Sequence, residues 1–95
     1  MKTLRNGWVE GSVQDFLELS NADMEYIETR LALSRRLRAE RKRQHLTQVE
    51  LAARLQTSQS RVAKMEKGDQ TVSLDLLVQA LFHLGVTRKQ LATAI

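Results

Sequence analysis

Ninety-five residues, 42% hydrophobic and 27% charged, specify one domain with a modest core. No apolar run approaches the roughly 20 residues of a membrane span. No cysteine is present for a disulfide or a thiolate zinc site, and residues 1–7 lack the apolar stretch of a signal peptide, so a cytoplasmic chain without membrane association is expected.

The net charge of +4 is unevenly spread. Residues 1–34 hold three basic against six acidic side chains, a balance of −3, and residues 35–95 hold twelve against five, a balance of +7. The two parts are therefore expected to face different partners, with the basic part meeting phosphates. The absence of proline and only four glycines favour helix throughout.

Residues 1–11 read as an extended or irregular arm, with Gly7 and Gly11 on either side of Trp8 and Val9. Ser12 and Asp15 have the spacing of a capping box, in which a hydroxyl and a carboxylate satisfy free N–H groups at a helix start. A short helix over about 13–19 should follow and bury Phe16 and Leu17 with Leu19. Ser20 and Asp23 open a second helix by the same device, predicted over 21–43. Met24, Ile27, Leu31, Ser34, Leu37 and Arg41 recur on one of its faces at three- and four-residue steps. Its last turns carry Arg35, Arg36, Arg38, Arg41, Lys42 and Arg43, and cations there suit the helix dipole.

Thr47 and Glu50 form the third capping box and start a helix over 48–55. A turn at Gln56 and Thr57 leads to Ser58, a good cap for a helix over 59–67 that Gly68 should stop. Ser73 caps a helix with Leu74, Leu77, Val78, Leu81 and Leu84 inward, ending at Gly85. Thr87 begins a last short helix with Leu91 and Ile95. No internal repeat is present.

Two short helices joined by a tight turn, the second of them polar, form a helix-turn-helix pattern. Val49, Leu51, Ala52, Leu55, Val62 and Met65 are expected to fix the angle between them, with Ala52 small enough for a close crossing. The second helix would then lie in the major groove. Gln59, Ser60, Arg61 and Lys64 are hydrogen-bonding types on its exposed side. Arginine can pair with guanine and glutamine with adenine through two bonds each.

Leu46-Thr47-Gln48, Glu50-Leu51-Ala52, Leu55, Ser58, Val62, Glu66, Gly68 and Leu84-Gly85-Val86 together resemble the Cro/cI-type (XRE) repressor family, over about residues 34–86. The resemblance implies an all-α, lambda-repressor-like five-helix domain with an N-terminal extension, here residues 24–95 and 1–23. It implies that Gln48 bonds a DNA phosphate and braces Gln59, and that Gln59, Ser60 and Lys64 face bases. Arg61 and Lys67 would lie nearer the backbone, and the caps Thr47 and Ser58 join the DNA-contacting set. Arg41 and Glu66 occupy the positions of a structural ion pair. The family often has glycine where this chain has His45 and Gln56, at positions that need a left-handed backbone and cost another residue about 1 kcal/mol.

The stretch from Ser58 to Asp69, Val72 to Leu77, and the preceding Phe16-Leu17 and Leu19-Ser20 resemble the HigA-like antitoxins of type II toxin–antitoxin modules. That narrower likeness implies an antitoxin that represses its own operon and neutralises a ribonuclease toxin, and the few base contacts open to one small module point to a homodimer on a palindromic operator. The alternatives are a repressor with no toxin partner and a toxin inhibitor whose DNA binding is secondary. The expected partners are a double-stranded DNA operator, a second copy of the chain and a toxin. Trp8, Val9, Phe16 and Leu17 are candidates for the toxin contact or for packing on the chain's own core. His45 and His83 lack neighbours at metal-ligand spacing, and no serine has a base and an oxyanion site beside it. No catalysis, metal or cofactor is expected.

Overall fold

The computed structural model describes residues 20–95. They form five helices: α1 (Asn21–Arg43), α2 (Gln48–Leu55), α3 (Gln59–Lys67), α4 (Leu74–His83) and α5 (Arg88–Ala94). The expected Ser12 cap, the 13–19 helix and the partner candidates Trp8, Val9, Phe16 and Leu17 lie outside the described residues.

Each helix starts where a hydroxyl can accept a bond from an otherwise unpaired N–H. Ser20, Thr47 and Thr87 make complete capping boxes with Asp23, Glu50 and Gln90. Ser58 accepts from the Arg61 N–H and Ser73 from the Leu76 N–H, both at 3.1 Å. The first four helices share one form of ending. His45, Gln56, Gly68 and Gly85 all have positive φ. The next N–H in each case reaches back five residues, as in Leu46 to the Arg41 carbonyl at 3.0 Å and Thr57 to the Ala52 carbonyl at 2.9 Å. This left-handed closure satisfies carbonyls that the helix leaves free. His45 (φ 59°) and Gln56 (φ 58°) adopt it without glycine's freedom.

Leu37, Leu51, Val62, Met65 and Leu81 form the fully buried centre of the core. Helix α1 packs against α3, α4 and α5, and α2 against α3. Gly68 lets the end of α3 come close to α1, since a Cβ there would meet Leu31 Cδ2 at 2.7 Å.

Two expectations about buried faces need correction. On α1 the buried residues are Arg30, Leu33, Ser34, Leu37 and Glu40, while Met24 is 45% exposed. The apolar pattern misled because two charged residues sit inside. The Arg30 guanidinium donates to the carbonyls of Asp69 (3.0 Å) and Val72 (3.1 Å), tying α1 to the loop after α3. Glu40 accepts from Arg43 and Gln44 and lies 3.7 Å from Arg36. Polar groups can be buried when they are bonded in this way. On α2, Val49 is 64% exposed and does not join the helices. It lies roughly 100° around the helix from the stripe formed by Leu51, Ala52 and Leu55.

Candidate nucleic-acid interface

The turn between α2 and α3 brings the first residues of the two helices together. Gln59 Nε2 donates to Gln48 Oε1 at 2.7 Å. Gln48 Nε2 in turn donates to Glu66 Oε1 at 3.2 Å. Glu66 is held by Arg41 through two bonds, Nε to Oε2 at 2.6 Å and Nη2 to Oε1 at 3.0 Å. Arg41 also donates to the Leu46 carbonyl at 2.8 Å. A continuous chain of bonds thus runs from α1 through α3 to the start of α2 and back to the first residue of α3. The pair is nearly dry, with the side chains 11% (Arg41) and 4% (Glu66) exposed. The bond to Glu66 raises the Arg41 pKa above its already high usual value.

This chain has an electrostatic effect on the outer surface. Glu66 is the single acidic residue of α3, and it is turned inward and neutralised. The outer side of α3 then presents Arg61, Lys64 and Lys67, all exposed and all basic. Val62 and Met65 face the core. At 100° per residue, Ser60, Lys64 and Lys67 share the opposite side, with Gln59 on the flank next to α2 and Arg61 on the other flank.

Thr47 and Ser58 cap α2 and α3 and are exposed; Gln48 is half-buried beneath Gln59. Two helix N-termini therefore lie side by side, and each favours anions through its free N–H groups and dipole. Ser58, Ser60, Arg61 and Lys64 line one open cleft of about 360 Å³ with Thr71 and Val72. Thr71 is a lining residue that sequence reading missed. Its signal is local: Asp69 Oδ1 accepts from the Thr71 N–H (2.8 Å) and hydroxyl (2.6 Å), which shapes the loop beside α3 and lowers the Asp69 pKa.

The arrangement suits a duplex surface: a convex polar helix with basic flanks, a braced glutamine and two adjacent helix starts. Among the described residues no three His, Asp or Glu side chains could hold a metal ion, and no helix is long and apolar enough to cross a membrane.

The family model for the helix-turn-helix domain matches residues 32–94. No curated protein and no solved structure matches the chain. With the match covering most of the sequence and five helices in this order, the chain belongs to the helix-turn-helix domain family, as a DNA-binding regulator of the Cro/cI (XRE) type.

Proposed function

We propose that this regulator reads a specific palindromic operator as a homodimer, with α3 in the major groove. Gln59, Ser60 and Lys64 meet base edges. Gln48 and Thr47 at the start of α2 hold a phosphate, and Ser58, Arg61 and Lys67 contact the backbone. One module of this size makes few base contacts, and two-fold pairing extends them. The observation that carries the reading is the bond from Gln59 to Gln48, anchored on the Glu66–Arg41 pair. It pre-orients an exposed glutamine amide, which lowers the entropy cost of a paired bond to adenine.

The test is selection of bound sequences from a random duplex pool, followed by affinity measurements on variants. Gln59→Ala and Lys64→Ala should each lose about 1–3 kcal/mol and relax the preferred sequence. Arg61→Ala should weaken binding evenly across sequences and flatten its salt dependence. If Gln59→Ala and Lys64→Ala both kept the parent's affinity and preference, α3 would not be the reading helix.

A second, finer reading is an antitoxin that represses its own operon and neutralises a ribonuclease toxin. What favours it is the charge split, with residues 1–34 net acidic and the rest net basic. An acidic segment fits the basic surface of an RNA-cutting protein better than it fits DNA. Co-purification of the full chain with the product of the adjacent gene tests it. If no neighbouring product binds, a repressor without a toxin partner remains.

A further inference from the structure

The outer side of α1 carries charges that the described structure leaves unused. The inner side is centred on Leu33 and Leu37. At 100° per residue the middle of the opposite side holds Glu28 in its first half and Arg35 and Lys42 in its second, with Glu25 on one rim and Arg38 on the other. All five are exposed. Among the described residues none of them is in an ion pair: those present join Glu40 to Arg36 and Arg43, and Arg41 to Glu66. Their neighbours along the helix make matters worse. Glu25 lies three residues from Glu28, Arg35 three from Arg38, and Arg38 four from Lys42, and like charges at these steps disfavour the helix.

The order of residues along this stripe is self-complementary. Reversing it about a point between Leu31 and Ala32 sets Glu28 opposite Arg35 at the centre of the stripe and brings Glu25 level with Arg38 across its width. The same reversal sets Met24, 45% exposed, opposite the small Ala39. Leu31 and Ala32, both half-buried, with Leu31 turned toward Gly68 of its own chain, flank the axis, and Asn21 falls opposite Lys42. A parallel pairing would set like charges together.

We propose that α1 pairs with α1 of a second copy of this chain, antiparallel, about a two-fold axis at residues 31–32. Such an interface is isologous: each contact occurs twice, so the central Glu28–Arg35 pair forms on both sides of the axis, with Glu25 and Arg38 adding longer-range attraction from the rims. The inner side of α1 faces α3 and α4, so the pairing leaves the outer side of α3 open. The seam is small and largely charged, which makes the association modest and sensitive to salt. Its use at a palindrome rests on the two-fold reading above; its formation does not.

The experiment is sedimentation of the full chain without DNA over a concentration series, at low and high salt. The variants are Glu25→Arg/Glu28→Arg and Arg35→Glu/Arg38→Glu, all at exposed positions, with circular dichroism to confirm that they fold. The parent should dimerise at low salt and dissociate as salt rises. Each variant alone places like charges across the axis and should self-associate at least about tenfold more weakly. Mixed together, the two should form a heterodimer of parent-like affinity, since every acid–base contact is restored. The fourfold charge swap should recover the homodimer. A parent that stays monomeric at every concentration overturns the proposal. Variants that self-associate like the parent, or a mixture that stays monomeric, overturn it as well. Operator binding by the parent and by Gln59→Ala is read separately. A failure of the α1 pairing is thereby distinguished from a failure of the DNA-reading assignment.

Discussion

Glu66→Ala strands the Arg41 guanidinium in a site where its side chain is 11% exposed. Two bonds are lost at Arg41, and the Gln48 amide loses its acceptor. Arg41 keeps the Leu46 carbonyl at 2.8 Å, which softens the loss. Breaking a buried pair by removing one partner costs about 3–5 kcal/mol, and the residual bond places this case near the lower end. For a domain of this size, about 3 kcal/mol lowers Tm by roughly 12–24 °C. Thermal unfolding followed by circular dichroism reads the shift. The double replacement Arg41→Met/Glu66→Met removes both charges together and should recover most of the loss, because paired desolvation and attraction nearly cancel. A Glu66→Ala curve within about 2 °C of the parent would refute the buried-pair reading, being well under 1 kcal/mol. So would a double variant no more stable than the single one.

Gln56→Gly and His45→Gly should each raise stability by up to about 1 kcal/mol in thermal or urea unfolding, because glycine relieves the cost of positive φ. Arg30→Met should lower stability by about 1–3 kcal/mol in urea unfolding, since the Val72 carbonyl loses a buried donor. Low pH provides a check on Glu40. Hydrogen bonds from Arg43 first and then Gln44 hold its carboxyl below the usual value of 4.5, against burial, which pushes it up. A depressed folded pKa means that its contribution is present above 4.5 and is lost as pH falls through the folded value. The stability gap between the parent and Glu40→Gln should therefore shrink as pH is lowered below 4.5, and a gap that widened would contradict the assignment.

The ends of the helices were legible in the chain itself. Ser20, Thr47, Ser58, Ser73 and Thr87 act on an N–H three residues ahead. The endings at Gly68 and Gly85 are equally local, while the left-handed backbone at His45 and Gln56 was indicated by the family resemblance. An interaction closed within five or six residues is written in the sequence and needs no partner from elsewhere. The exposed set on α3 was readable for a related reason, since Val62 and Met65 mark the buried side and so place Ser60 and Lys64 on the other.

The turn of α1 about its own axis belonged to the tertiary structure alone. Arg30 is buried by carbonyls 39 and 42 residues away. Glu40 is buried beside Gln44, whose amide reaches the Leu84 carbonyl 40 residues on. No periodicity rule can count a charged residue as inward before its partners are in place, so the apolar pattern put Met24 on the core side and overlooked Leu33. The brace behind Gln59 has the same character. Gln48 and Gln59 are legible one by one as polar helix starts. Their bond depends on Glu66, 18 residues from Gln48, and on Arg41, 25 residues from Glu66. Local chemistry set where each helix begins and ends; which charges lie between the helices was decided by the partners that folding brings to them.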